Sequence, residues 1–239
     1  MKMIDNGNGP WEKVRCIWEI IDRLRGEPGC PWDKKQTPQT VQTYLVEEAH
    51  EAASAIRDGS VHEAAEELGD LLFMVFFMIH LYEEQKDFRL EEVSDAICEK
   101  MIRRHPHVFG DTTVHSAQEV RVNWERIKAD EKAASGKTSK AGGIPSSLPA
   151  LMRAYRIVSR ASQKEGASWD DLDAHVRAFS RKSRELCTQL AGDAPVPEAA
   201  FGDLLLELVN LARIEGYRAE DSLQERLRSM EATSSHEEI

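Results

Sequence analysis

The stretch Tyr44–Leu81, YLVEEAHEAASAIRDGSVHEAAEELGDLLFMVFFMIHL, decides how this chain folds. It holds two acidic pairs, Glu48 with Glu51 and Glu67 with Asp70, and Glu47 stands beside the first. Each pair has i,i+3 spacing, which on a helix puts both carboxylates on one face about one turn apart. Between them Asp58-Gly59-Ser60 is a turn signal, and Ser60 with Glu63 reads as a capping box opening a second helix. Two helices joined by so short a turn run antiparallel. Their acidic faces then meet and bring the four carboxylates into one small volume.

Such a cluster is electrostatically unbalanced. From Glu47 to Asp70 there are eight acids and one base, Arg57. Two like charges ~4 Å apart repel by ~4 kcal/mol at an effective dielectric of ~20. Facing carboxylates therefore need a cation, shared protons or intervening water. An all-oxygen donor set suits a hard divalent ion such as Mg2+, with Mn2+ a possible substitute. The competing reading is a solvated acidic helix face, the commonest fate of Glu-rich helices. Against it, Asp70 adjoins the apolar run Leu71–Ile79, which predicts that it lies close to the core. Spacing alone leaves both readings open.

Composition narrows the classes. The chain has 239 residues, 41% of them hydrophobic, enough for one large domain or two small ones. A net charge of −11 argues against a surface for nucleic-acid polymers. Cys16, Cys30, Cys98 and Cys187 show no CxxC spacing, so they read as free thiols of a reducing compartment. The N-terminal MKMIDNGNGPWEK has no apolar signal region, and the longest apolar run is about half the ~18 residues that span a bilayer. The expectation is a cytoplasmic protein without a membrane partner.

A first helix starts near Pro10-Trp11, with Trp11, Val14, Ile17, Trp18, Ile21 and Leu24 on one stripe. It stops at the Gly- and Pro-rich Arg25–Pro31, and Trp32-Asp33 follow in the loop. Thr37-Pro38 reads as an N-cap with Pro at N1. A fourth helix spans about Leu90–Arg103, with Val93, Ile97 and Met101 expected inward. It ends in the bases Lys100, Arg103 and Arg104, which suit either the helix C-terminus or a phosphate. Ser116 with Glu119 caps a fifth helix, on which Trp124 reads first as a core residue and second as a stacking platform.

Composition predicts a flexible linker at 135–147, dividing the chain into domains at 1–134 and 148–239. In the second half, helices to about 231 are followed by a polar tail, Thr233–Ile239. The halves look duplicated. Gly29-Cys-Pro-Trp32-Asp33 has an echo in Gly166-Ala-Ser-Trp169-Asp170, and Gly69-Asp70-Leu-Leu in Gly202-Asp203-Leu-Leu. On this alignment Glu51 matches Glu185 and Asp70 matches Asp203, but Glu47, Glu48 and Glu67 become Arg181, Lys182 and Ala200. The second copy has lost three of the acids and gained two bases, which removes its metal site, and its Asp203 is expected to pair with Lys182 or Arg181.

Taken in order, Cys30-Pro-Trp-Asp, Glu47-Glu48-x-x-Glu51, Glu67-x-Gly-Asp70, Arg103-Arg104-His-Pro-His-Val-Phe109 and Trp124-Glu-x-Ile-Lys128 resemble the MazG family. That family belongs to the all-α NTP pyrophosphatase superfamily. The resemblance implies an all-α fold of two tandem helical-bundle repeats, the second degenerate. It implies Mg2+-dependent hydrolysis of nucleoside triphosphates, ribo or deoxy, to the monophosphate and pyrophosphate, in a nucleotide-pool house-cleaning role. It implies catalytic acids at Glu47, Glu48, Glu51, Glu67 and Asp70, with the last four as metal ligands. Substrate-binding positions fall on Trp32, Lys100, Arg103, Arg104, Trp124 and Lys128. Because the second copy lacks the acids, activity is expected in the first half.

Two rivals differ in class. A di-iron carboxylate bundle is suggested by Glu47-x-x-His50, but no other His has a Glu three positions before it. A helical regulatory protein that binds nucleotide without turnover would suit the second half taken alone. The run Leu71–Ile79, apolar around the whole helix, needs cover on all sides and predicts a homodimer.

Overall fold

The computed structural model describes residues 9–134, 143–163 and 168–237. Most of the expected linker, the Gly166 of the second repeat motif and the last two residues lie outside these. Among the described residues every regular element is helical, and the chain divides into two compact units, Met1–Ser135 and Gly136–Ile239.

In the first unit α1 (Pro10–Arg25) is followed by a short 3-10 turn at Asp33–Lys35 and by α2 (Pro38–Asp58). Thr37 caps α2 with its hydroxyl on the Thr40 amide, and Pro38 takes the first position, where a missing N–H costs nothing. α2 ends at Gly59, whose φ of 75° is left-handed and suits glycine. The Ser60 hydroxyl then accepts from the Glu63 amide and opens α3 (Val61–Glu84). With the caps Gly59 and Ser60 adjacent, α2 and α3 form a hairpin, the most extensive helix pairing in the unit. α1 lies across α3, and Ile21, Val41, Phe77 and Leu81 form the core, with Ile17, Phe73, Met74, Phe76 and Met78 packed on it.

α4 (Leu90–Arg104), the single turn α5 (Pro106–Phe109) and α6 (Ala117–Ala134) complete the unit. α4 touches α3 and α6 only lightly. Val93 and Ile97, expected inward, are exposed, because among the described residues of this unit nothing large covers that face. The apolar run of α3 is covered unevenly for the same reason. Phe77 and Ile79 are buried, whereas Leu68, Leu72 and Val75, at i, i+4 and i+7, form an exposed stripe.

The second unit repeats the order with α7 (Ala150–Ala161), a 3-10 turn at Ser168–Asp170, α8 (Leu172–Leu190), α9 (Glu198–Ile214) and α10 (Ala219–Glu237). α10 continues through most of the segment expected as a polar tail. Its core is smaller, with Val158, Leu186 and Val209 buried and a polar residue, Asn210, fully buried among them.

Candidate active site

The α2–α3 hairpin places Glu48 at the middle of α2 and Glu67 and Asp70 in the first half of α3. Carboxylate oxygens of Glu48, Glu67 and Asp70 lie within 4.8 Å of one another. Glu48 and Glu67 are half-buried and Asp70 is exposed. The expectation that Asp70 lies near the core is therefore corrected. The core begins only at Phe73, where α1 covers α3, and Asp70 sits one turn before that cover.

The electrostatics match this crowding. The Glu48 carboxyl is raised above its ordinary 4.5, first by loss of water around it and then by the charges of Glu51, Asp70, Glu67 and Glu47. Glu67 is raised in the same way, by desolvation and then by Glu51, Asp70, Glu66 and Glu63. Glu51 is thus a close electrostatic neighbour of the trio without belonging to it, and Glu47 is a weaker one. A divalent cation fits these residues. Metal–oxygen bonds of ~2.0–2.6 Å span oxygens up to ~4–5 Å apart, and hard carboxylate oxygens are the preferred donors of Mg2+.

The other predicted positions form separate groupings. Trp32 is half-exposed and its ring lies 6.0 Å from that of Tyr44. Tyr44, Glu48 and Glu51 stand at i, i+4 and i+7 on α2, so this aromatic pair flanks the acidic face about one turn away. Sequence reasoning passed over Tyr44, although the i,i+4 spacing to Glu48 was a signal.

Arg103 and Arg104 converge on one acid, Glu131 of α6. The Arg104 guanidinium donates to Glu131 Oε2 at 2.7 Å and Arg103 to Oε1 at 2.7 Å. These hydrogen bonds hold the Glu131 carboxyl down at about 2. Glu131 was also missed; its only signal was its place seven residues after Trp124, on the same helical face. Trp124 is neither core nor fully open: His105 lies 5.9 Å from it, ring to ring, and Lys128 Nζ sits 5.8 Å from its ring centroid. Lys128 also pairs with Glu125 at 2.9 Å. Lys100 is half-buried on the last turns of α4. None of these contacts includes an acid of the Glu48 cluster.

In the second unit Lys182, at the position of Glu48, donates to Glu207 Oε1 at 2.9 Å, and His175 bonds the other oxygen of Glu207 at 2.7 Å. The expected partner Asp203 is instead exposed, and Arg181 pairs with Glu185. Glu207 lies one turn beyond Asp203, deeper along α9, where a lysine on α8 gains a half-buried carboxylate. The ammonium joins α8 to α9 near the level of the acidic trio in the first copy.

Fold and cluster together define an all-helical protein whose acidic centre spans the two arms of a helical hairpin. The MazG nucleotide pyrophosphohydrolase domain matches residues 36–109, a span that holds all five acids and Lys100, Arg103 and Arg104. The "nucleoside triphosphate pyrophosphohydrolase" of Escherichia coli K12 is 40% identical over 216 residues, 89% of this chain and 82% of its own length. The "nucleoside triphosphate pyrophosphohydrolase/pyrophosphatase MazG" of Thermotoga maritima is 39% identical over 87% of this chain and 79% of its own. A solved MazG-related protein from Thermotoga maritima shares 28% identity, covering 48% of this chain and 98% of its own, with a TM-score of 0.43. The chain belongs to the MazG family of nucleotide pyrophosphohydrolases.

Proposed function

We propose that this chain is a Mg2+-dependent nucleoside triphosphate pyrophosphohydrolase acting in the cytoplasm on ribo- and deoxynucleotides. Water cleaves the bond between the α- and β-phosphates, giving the monophosphate and pyrophosphate. The observation that carries this reading is the meeting of Glu48, Glu67 and Asp70 across the hairpin in a family of this activity. These three would hold the ion, with Glu51 adding negative field beside them. When bound, the ion neutralises phosphate oxygens and acidifies a coordinated water.

The rest is the work of the chain. Glu47 and Glu51 stand outside the trio and are the acids left to accept the proton that the attacking water loses. Trp32, backed by Tyr44, offers a flat face on which any base can stack, which suits a broad substrate range. Lys100, Arg103 and Arg104 supply the charge for the phosphates, and Glu131 fixes the two guanidinium forks in orientation. Lys128 and Trp124 form the outer edge of that basic group. The exposed stripe of α3 and the open face of α4 are covered by a second copy, making the protein a homodimer.

A pyrophosphate-release assay on a panel of NTPs and dNTPs tests the reading. Turnover in Mg2+ that vanishes in EDTA is the expected result. No pyrophosphate from any nucleotide, or equal turnover in EDTA, would overturn it and favour a binding protein without chemistry.

A further inference from the structure

The proposed reaction leaves the second unit without a task, yet that unit contains a shaped hollow. The segment Ile144–Leu148, the helix α7 and the start of α10 enclose a cavity of about 290 Å³. Its walls are largely apolar, with Leu148, Met152 and Tyr155 among them. Two guanidinium groups, Arg156 and Arg218, stand at its edge. Arg218 lies 5.9 Å from the centroid of the Tyr155 ring, so one charge is already held against the aromatic wall. Neither arginine has a carboxylate partner among the described residues. The one acid of the lining, Glu220, accepts a hydrogen bond from Gln224.

Two other arginines of the same unit are held away from the hollow. Arg213 is committed to Asp170 and the Trp169 carbonyl, and Arg181 to Glu185. An apolar hollow of this size with a few convergent polar groups is the usual form of a small-molecule site. Two guanidinium groups in one lining, neither with a carboxylate partner among the described residues, suit a group bearing more than one negative charge, and phosphate monoesters carry about −1.5 to −2 at neutral pH. The hollow beside them, with its tyrosine wall, calls for a flat apolar body attached to that phosphate. We propose that the second unit binds a nucleoside monophosphate here, its base in the hollow and its phosphate on Arg156 and Arg218. The choice of a monophosphate over other aromatic phosphates rests on the proposed reaction, which releases that class of molecule. The duplicated half would then be a product-sensing unit whose own acidic centre has been replaced by Lys182.

The test is calorimetric binding of AMP, GMP, CMP and UMP to the full chain in EDTA, with parallel titrations of the nucleosides and of inorganic phosphate. Three variants are compared: the double variant Arg156→Ala with Arg218→Ala, the cavity-filling Met152→Trp, and Glu48→Gln. Expected is binding of at least one monophosphate that weakens by about 10-fold or more in the first two variants and persists in Glu48→Gln. The matching nucleoside and free phosphate should each bind about 10-fold more weakly or worse. The helical signal in circular dichroism should be unchanged in all variants. Binding that disappears in Glu48→Gln but survives the other two belongs to the first unit and overturns the proposal. So does equal binding of nucleoside and nucleotide, or no binding of any monophosphate at millimolar concentration. Pyrophosphate release by the double variant is measured alongside and should equal that of the unaltered chain. Its absence in both proteins would count against the proposed reaction and not against this site.

Discussion

At the scale of single residues, the two copies form an internal control. Glu48 and Asp70 face each other in the first copy, while Lys182 and Asp203 occupy those places in the second. Lys182 both removes a donor and adds a charge that repels a cation, and it is already satisfied by Glu207. Glu48→Gln or Asp70→Asn should therefore lower NTP turnover by at least ~100-fold, the loss of several kcal/mol of transition-state stabilisation. Asp203→Asn, altering an exposed residue outside the Lys182–Glu207 pair, should leave kcat and KM unchanged per folded molecule. Kinetics of the single variants decide it: an inactive Asp203→Asn beside an active Asp70→Asn would move the chemistry to the second unit. The acids of the first copy were legible because i,i+3 spacing and a short turn leave little freedom in where a carboxylate can point. The partner of Lys182 was not, because a lysine stem is long enough to reach either Asp203 or Glu207, one turn apart on α9. Burial, which sequence spacing does not report, favours Glu207.

At the scale of the element, the hairpin carries a pH signature of opposite sign to that of the α4–α6 junction. Glu48 and Glu67 have raised folded-state values. Their contribution to stability is fully present below their unfolded value of 4.5 and is lost as pH rises through the raised folded values. Without metal, the first unit should become less stable as pH climbs above that value, and millimolar Mg2+ should restore the loss by binding only the folded form. Chemical denaturation from pH 4.5 to 7, in EDTA and in Mg2+, measures this; Glu48→Gln should flatten the EDTA profile. A profile indifferent to Mg2+ would mean that the trio holds no ion. Glu131 behaves inversely. Its value is depressed to about 2 by Arg104 and Arg103, so it adds stability above its unfolded 4.5 that disappears as pH falls through about 2. Glu131→Gln should destabilise the protein at pH 7 by leaving two guanidinium groups half-paired, and the difference from the unaltered chain should shrink toward pH 2. Helix order, the Thr37 and Ser60 caps and the Gly59 turn were all readable from local chemistry. The junction was not, since nothing local ties Glu131 to bases 27 and 28 positions earlier.

At the scale of the whole molecule, what the sequence could not distinguish was cover from within the chain and cover from a second copy. The run Leu71–Ile79 shows apolar side chains on every face of α3, but periodicity says only that a face must be covered and not by which chain. In the structure α1 and α2 take part of the helix, and Leu68, Leu72 and Val75 stay exposed, with Val93 and Ile97 exposed on α4. Exposed large aliphatic side chains on two helices of one unit are the kind of surface that a protein contact covers. No described helix is long and apolar enough to cross a membrane. The proposed occupant is a second copy, and a stable contact would bury ~1,200–2,000 Å² in total. Light scattering at micromolar concentration should give twice the chain mass of 27.0 kDa. Val75→Glu places a charge in the middle of the stripe without touching the acidic trio, so it should convert the protein to a monomer. Its helical content should be kept, because the side chain it replaces is already 38% exposed. A fully active particle of 27.0 kDa from the unaltered sequence would sink the dimer. A Val75→Glu protein that remains dimeric would instead place the contact on some face other than the α3 stripe.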